Sequence, residues 1–180
     1  MGRVTRSPET YRRVRGLRVV RAYTADPIPR PELTATLEAA RWTGSSKNVQ
    51  GWEFIVVEGE QLDVLASAGH FTDPVRNSAA TIALVLTPEG NEFDIGRAAQ
   101  NIMLAAAALG IGSCPITLHD RARATEVLRL PEGYSCRYAI ALGFPDEAGE
   151  AAIRADRRSR GVSGRKDLGE ITHDQMYRAD

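Results

Sequence analysis

One stretch decides how this chain folds, and it reads DIGRAAQNIMLAAAALGIGS over positions 94–113. Apolar residues occupy nearly every side of the helix that this stretch predicts from Asp94 to Leu109. Gly110 suits the left-handed conformation that ends a helix, and a short apolar strand begins at Gly112. A helix of this composition is expected to be buried all round, so other elements must cover it.

Strands are predicted on both sides of this helix. Two stretches rich in apolar and β-branched residues, Trp52 to Glu58 and Ala79 to Thr87, predict strands that are buried on both faces or nearly so. Gly112 to Leu118 predicts a short strand interrupted by Pro115, and Cys136 to Leu142 predicts a fourth strand. With helices between them, four strands predict an α/β sandwich of two or three layers.

Capping residues and prolines mark the other helices. Ser7 is the expected N-cap of a helix over Pro8 to Arg15, because its hydroxyl can accept a backbone N–H of the first turn. Further helices are predicted from Pro31 to Gly44, from Gln61 to Ala68, and from Asp120 to about Leu130. The remainder, from Asp146 to Asp180, is mostly polar and has few apolar anchors.

Composition limits the classes of function. The chain has 180 residues with 43% hydrophobic residues, which suits a single domain. Lys plus Arg and Asp plus Glu both number 23, so the net charge gives no reason to expect a nucleic acid or a membrane as partner. With no membrane-spanning stretch and no secretory signal, a cytoplasmic protein is expected.

Two basic stretches lie near the chain ends. Arginines crowd the first 21 residues, and a second basic stretch runs from Arg154 to Lys166. Either these residues form solvated faces, or the two ends together build a site for an anion such as phosphate. Nucleic-acid binding by the first stretch is the weaker interpretation, because aromatic interleaving is limited to Tyr11 and Tyr23.

Residues that carry chemistry by themselves are scarce. There is no GxGxxG, GxxxxGK, GxSxG or HExxH motif, and Cys114 and Cys136 have neither CxxC spacing nor a nearby histidine cluster. Any chemistry must therefore come from a cofactor. The most polar loop spans Gly44 to Trp52, where Asn48 and Gln50 offer the donors and acceptors that complement a heterocycle, although ordinary loop chemistry explains it equally well.

Four elements carry a family resemblance. The sequence LEAARW at 37–42 precedes the polar loop and the strand from Phe54 to Val57; then come the helix at 94–113 and the strand end Leu142, Gly143 and Pro145. In this order they resemble the nitroreductase-like family over about Arg18 to Leu168. The resemblance implies a single domain over 1–180 with an α+β nitroreductase-like fold. Its central sheet would be mixed, mostly antiparallel and four- to five-stranded, with helices on both sides.

The resemblance also implies FMN as cofactor. The family motif for its phosphate matches positions 17–21, where Arg18 and Arg21 keep the guanidiniums but Leu17 and Val19 depart from the pattern. Those departures keep another flavin or a deazaflavin open as alternatives. The further positions implied to bind the flavin are Ser45, Ser46, Asn48 and Gln50 in the loop, Pro115, Ile116, Thr117 and Leu118 beside the ring, and Arg165 and Lys166 near the phosphate.

Activity and assembly are implied in the same way. Family members transfer electrons from NAD(P)H through the flavin to an organic acceptor, a nitroaromatic or a quinone for example, by a ping-pong mechanism. They are intertwined homodimers, so 1–16 is expected as an N-terminal helix or arm and 146–180 as an extension that wraps the partner subunit. A flavin carrier or redox sensor that uses Cys114 is the non-enzymatic alternative, and a specialised relative is the other.

Overall fold

Four strands form the central sheet of the molecule. They are β1 (Trp52–Val57), β2 (Ala80–Leu86), β3 (Gly112–Thr117) and β4 (Ser135–Gly143), in the order β1-β2-β4-β3. The structure is a computed structural model that describes residues 6–162 and 164–177. All three strand pairings within these residues are antiparallel. The expected α+β sandwich is confirmed, with four strands and no parallel pairing in the described part of the chain.

Some expectations reach outside the described residues. Residues 1–5 of the predicted N-terminal arm, Arg3 among them, are not described. The same holds for 163 and 178–180 of the predicted C-terminal extension. The helix predicted after Ser7 lies within the described part and is confirmed, because the Ser7 hydroxyl accepts the Thr10 N–H at 3.2 Å.

Seven α-helices surround the sheet in the described residues, and side chains of the preceding residue cap several of them. Asn91, Asp120 and Asp146 each accept a backbone N–H from the first turn that follows. None of the helices described is long and apolar enough to cross a bilayer. The helices are α1 (Pro8–Gly16), α2 (Arg30–Arg41), α3 (Gln61–Ala66), α4 (Asp73–Arg76), α5 (Glu92–Ala108), α6 (Arg121–Leu128) and α7 (Glu147–Ser159).

The helices cover both faces of the sheet, which makes three layers. Helices α2 and α5 pack on one face, where Ile82 and Leu84 of β2 are buried with Ile102 of α5. Helices α3, α4 and α6 lie over the other face, where Ala83 and Val85 are buried. Because side chains alternate along a strand, a strand covered on both faces is apolar at every position. The apolar run of β2 was therefore correctly interpreted as a buried strand. The strand predicted for β1 is confirmed as well, but this edge strand is only partly buried, with Glu53 exposed.

Helix α5 departs from expectation in one respect. Its inner face is buried, but Gly96, Arg97, Gln100, Ala107 and Ala108 are exposed. The prediction that this helix is buried all round is therefore wrong for the single chain. Its outer face combines small residues with polar ones, and no element of the described chain covers that face.

The C-terminal extension contains a helix that the sequence did not predict. Helix α7 has only one buried residue, Glu150, and it follows the cap Asp146. Its apolar positions are too few to give the helical period, so the pattern resembled a polar tail. From Arg160 onward every described residue is exposed, so the expected lack of anchors on its own subunit holds for that part.

Smaller differences concern element ends. Helix α2 ends at Arg41, with Trp42 as its C-cap, rather than at Gly44. The short helix α4 was not predicted. Pro115 does not interrupt β3, because it pairs with Ile140 at the edge of the sheet, where a missing N–H costs no ladder hydrogen bond.

The segment from Leu17 to Thr24 crosses one end of the sheet. The Val20 N–H donates to the Ser113 carbonyl and the Thr24 N–H to that of Phe144, both at 2.9 Å. A Cβ added to Gly112 would lie 2.7 Å from the Val20 side chain, and one added to Gly143 would lie 2.8 Å from the Tyr23 ring. The two glycines therefore leave the space in which this segment packs.

Replacing Gly143 should destabilise the protein. Gly143→Ala forces the new methyl into Tyr23, whose hydroxyl is held by the Val20 carbonyl at 2.7 Å. We expect the free energy of unfolding to fall by about 1–3 kcal/mol, the usual cost of overpacking. Denaturant titration measures it. Gly16→Ala, where nothing lies within 4 Å, is the control and should change it by less than about 0.5 kcal/mol. Equal effects at both positions would contradict the packing argument.

Candidate functional site

The first part of the candidate site is the free edge of β3. Ile116 and Leu118 are buried in the core beneath the second helical layer, so their side chains are closed to a ligand. Pro115 is exposed and Thr117 half-buried. Of the four residues predicted in this segment, two therefore present side chains at the surface.

Hydrogen bonding shows which backbone groups face outward at this edge. The Leu118 N–H donates to the Arg137 carbonyl at 2.8 Å, so position 118 points toward β4. Directions alternate along an antiparallel strand, which turns Ser113, Pro115 and Thr117 away from β4. The Ser113 carbonyl accepts from Val20, as this alternation requires. The Thr117 N–H is thus a donor directed to the free edge.

The second part is the basic segment, and its two arginines have different neighbours. The Arg18 guanidinium donates to the carbonyls of Arg15 and Leu17, both at 2.9 Å. The Arg21 guanidinium lies close enough to Cys114 for its charge to act on the thiol. The two guanidiniums thus have different neighbours, and their joint binding of one phosphate stays a prediction.

A pocket of about 360 Å³ lies beside Arg18. This volume is within the range of small-molecule sites. Apolar atoms of Leu104, Ala107 and Ala108 on α5 form one wall, and Arg13 and Arg18 supply positive charge at the other. The pocket extends to Gly112 and Ser113 at the start of β3. Arg21 does not line it, so the pocket alone is not the site that the sequence implied.

Burial controls the chemistry of Cys114. Desolvation raises the pKa of the thiol to about 11, with the Arg21 charge opposing the shift and Glu150 adding to it. Burial likewise raises the pKa of Tyr23, and that of Cys136 to about 12. Both cysteines are free and buried. At neutral pH they are neutral thiols, which are poor nucleophiles.

The third part is the loop from Gly44 to Gly51. Lys47, Asn48 and Gln50 all have positive φ, at 52°, 56° and 53°. Three such non-glycine residues in four positions store strain of the kind found at functional sites. The Ser45 hydroxyl stabilises the turn by accepting the Gln50 N–H at 2.9 Å, while Ser46 begins a short 3₁₀ turn (Ser46–Asn48).

Helix α5 holds this loop in place. Arg97 donates to the Gly44 carbonyl and pairs with Asp94 at 3.2 Å. One turn further on, Asn101 donates to the Thr43 hydroxyl at 2.9 Å. Arg97 and Asn101 support the site but were not identified from the sequence, since an arginine or amide on a helix has no distinctive spacing.

The loop and the basic segment lie at opposite corners of the sheet. Trp52 follows the loop and pairs with Leu86 at one end, whereas Val20 contacts Gly112 at the other. Strands β1 and β3 are the two edges, separated by three strand spacings, about 14 Å. A six-residue strand adds about 17–20 Å along its length. Within one chain, the loop and the basic segment cannot contact the same ring.

The late basic pair stands apart from the rest. Arg165 donates to the Gly164 carbonyl, its neighbour, and both Arg165 and Lys166 are exposed. No hydrogen bond or ion pair found in the described residues connects them to Arg18 or Arg21. Nor do those residues contain a cluster of three His, Cys, Asp or Glu side chains that could hold a metal ion.

Fold and candidate site together define an α+β protein with an open strand edge at β3 and a strained polar loop at the opposite corner of the sheet. A model of the nitroreductase family matches residues 14–89 and 87–144. The chain belongs to the nitroreductase family. An Archaeoglobus fulgidus protein, provisionally named NADH dehydrogenase/NAD(P)H nitroreductase, is 30% identical over 142 residues, covering 72% of this chain and 82% of its own.

Solved structures agree with this assignment. An FMN-dependent nitroreductase of Clostridium difficile has 30% identity and a TM-score of 0.68, over 75% of this chain and 87% of its own. A provisionally named nitroreductase of Desulfovibrio desulfuricans, crystallised in complex with FMN, has 27% identity and a TM-score of 0.77, over 97% and 100%. Nitroreductase A of Vibrio parahaemolyticus, at 22% identity and a TM-score of 0.82 over 97% and 78%, supports the fold.

Cys114 should react slowly with alkylating reagents. With a pKa near 11, only about one thiol in a thousand is ionised at pH 8. We expect iodoacetamide labelling of the native protein at pH 8 to be far slower than that of the denatured protein, and to accelerate about tenfold per pH unit toward pH 10. Mass spectrometry of Cys114 gives the rates. Rapid native labelling at pH 7 would show that the thiol is activated.

Proposed function

We propose that this protein is an FMN-dependent oxidoreductase that takes electrons from NADH or NADPH and passes them to a small organic acceptor, a nitroaromatic or quinone for example, by a ping-pong mechanism. The open edge of β3, beside Arg21 in a chain of the nitroreductase family, carries the proposal. The FMN named for the Clostridium difficile and Desulfovibrio desulfuricans relatives supports the cofactor. A cytoplasmic location is part of the same proposal.

The residues at this edge fit a flavin. The Thr117 N–H is a donor without a partner in β4, and it would bind an acceptor nitrogen or oxygen of the ring. Arg21 would bind the phosphate, because a guanidinium donates to two oxygens at once. Bound FMN supplies the electron transfer itself. The chain's own residues orient the ring and keep water from its covered face.

The two departures in the phosphate motif have a structural counterpart. Leu17 and Val19 are half-buried and pack against the core cluster of α2 and α5, so neither contributes a donor. This observation favours a second candidate, in which the same edge binds a different flavin or a deazaflavin. The sensor alternative is weakened, since a redox sensor needs a thiolate and burial keeps Cys114 neutral.

We propose in addition that the complete site is formed by two chains. One chain would supply the edge of β3 and the basic segment, and its partner the loop from Ser45 to Gln50, since the two lie at opposite corners of one sheet. The exposed outer face of α5 and the exposed apolar side chains of the C-terminal extension would form the homodimer contact. Those side chains are Val162, Leu168, Ile171, Met176 and Tyr177. Arg165 and Lys166 would then approach the phosphate from the wrapped extension.

Visible spectroscopy tests the oxidoreductase proposal. After reconstitution with FMN we expect protein-bound flavin absorbance, which should bleach when NADH or NADPH is added without oxygen and return when a quinone is added. Bound flavin that neither nucleotide bleaches would contradict the activity while leaving flavin binding intact. Failure to bind FMN, with binding of a deazaflavin instead, would favour the second candidate.

Subunit complementation tests the shared site. Arg21→Ala and Asn48→Ala should each lower nicotinamide oxidation by about 10- to 100-fold, the value of a lost hydrogen bond to a charged group. In a mixed dimer of the two variants, one site carries both changes and the other carries neither. We therefore expect co-expressed, differently tagged chains to recover about half of the wild-type rate per dimer.

The complementation experiment has a matched control. Two copies of Arg21→Ala with different tags, purified in the same way, should keep the lowered rate of the single variant. If each site lay within one chain, every site of the mixed dimer would carry one change and no activity would return. A monomer in sedimentation analysis would also contradict the shared site.

A further inference from the structure

Helix α7 places a buried carboxylate against the basic segment. Glu150 is 5% exposed, and its Oε1 accepts the backbone N–H groups of both Arg21 and Ala22, at 2.5 and 2.9 Å. Its other oxygen lies 3.7 Å from the Arg154 guanidinium. A carboxylate taken out of water is costly unless it is paired and hydrogen-bonded, and here both oxygens have partners.

Two consecutive N–H groups on one oxygen constrain the backbone. In an extended strand the N–H groups of neighbouring residues point to opposite sides. A single oxygen can bind the N–H groups of Arg21 and Ala22 only if the chain turns between them. Glu150 therefore sets the backbone direction at Arg21, and with it the direction in which the Arg21 side chain leaves the chain.

The first turn of α7 packs against the basic segment through hydrogen bonds and a close backbone approach. The Asp146 N–H donates to the Ala22 carbonyl at 3.0 Å, so Ala22 is held on both of its backbone groups. A Cβ on Gly149 would lie 2.7 Å from the Ala22 methyl, so only glycine allows this approach. Glu150 is also in the first turn of α7, where the helix dipole stabilises a negative charge.

We propose that Glu150 is a positioning residue that directs Arg21 toward the phosphate of the flavin mononucleotide, which rests on the function proposed above. It acts without contacting the ligand, by binding the backbone that carries Arg21. Its loss should therefore affect ligands that have a phosphate and spare those that lack one. A residue that only stabilised the fold would affect both alike.

Flavin titrations test this role. Glu150→Gln keeps the shape of the side chain but replaces one oxygen by an amide and removes the charge. We expect the Kd for FMN to rise about tenfold, as for a weakened hydrogen bond to a charged group, and the Kd for riboflavin to change less than about twofold. Fluorescence quenching gives both constants. Glu147→Gln, an exposed glutamate one turn earlier on α7, is the matched control and should change neither.

A double-mutant cycle separates positioning from stability. If Glu150 acts through Arg21, Glu150→Gln should have no further effect on FMN affinity once Arg21 is replaced by Gln. If Glu150→Gln does not fold, Arg154→Gln serves as the second variant. It removes the ion pair with Glu150 at a side chain that is 55% exposed, so the fold should tolerate it. We expect it to raise the Kd for FMN two- to threefold and to leave the Kd for riboflavin nearly unchanged.

Three outcomes would overturn the proposal. They are equal losses for FMN and riboflavin, no loss for either, and full additivity with Arg21→Gln. Each of these leaves the proposed function intact, since the wild-type protein still binds FMN. Wild-type protein that binds neither flavin would overturn the proposed function together with this inference.

Discussion

The packing of helix α5 against the sheet is the interaction on which the rest of the structure depends. One face of this helix is buried on the sheet, and the opposite face is exposed. Its inner residues, such as Ile102 and Ala106, are buried against the sheet. At its N-terminal end, Arg97 and Asn101 hold the strained loop. At its C-terminal end, small alanines form a wall of the pocket beside Arg18. One helix thereby sets the positions of both separated parts of the site.

The distance between these two parts of the candidate site connects it to assembly. The strained loop and the basic segment lie at opposite corners of the sheet, too far apart to contact one ligand within a single chain. A second chain packed on the outer face of α5 would bring a loop to each basic segment, so assembly and site formation would become one event. Gly96, Ala107 and Ala108 on that face would permit close helix contact at their positions, because small side chains allow backbones to approach.

Charge is handled differently at the two parts of the site. In the loop, backbone strain and a single hydroxyl hold polar side chains at the surface. In the basic segment, the buried carboxylate of Glu150 binds the backbone. Glycines at positions 112, 143 and 149 leave space for the side chains of this segment. The charges of Arg21 and Glu150 both act on Cys114. Burial raises the pKa of this thiol by more than the Arg21 guanidinium lowers it, so the thiol stays protonated. The cysteine is therefore a packing residue near the edge of β3.

Local pattern alone determined the four strands, the helices capped by Ser7 and Asp120, and the central helix of this protein, because buried strands have continuous apolar runs and caps act within one turn. Composition singled out the polar loop, but the roles of this loop and of Arg21 came from the resemblance, because their spacing is not distinctive. Only the tertiary structure showed helix α7 and the contacts of Glu150. The one buried residue of this helix is charged, so it adds nothing to an apolar pattern, and its partner Arg21 is 129 positions away in the sequence. Tertiary structure also decided that the loop and the arginines lie apart, because strand order brings β1 and β3 to opposite edges and no local pattern records strand order.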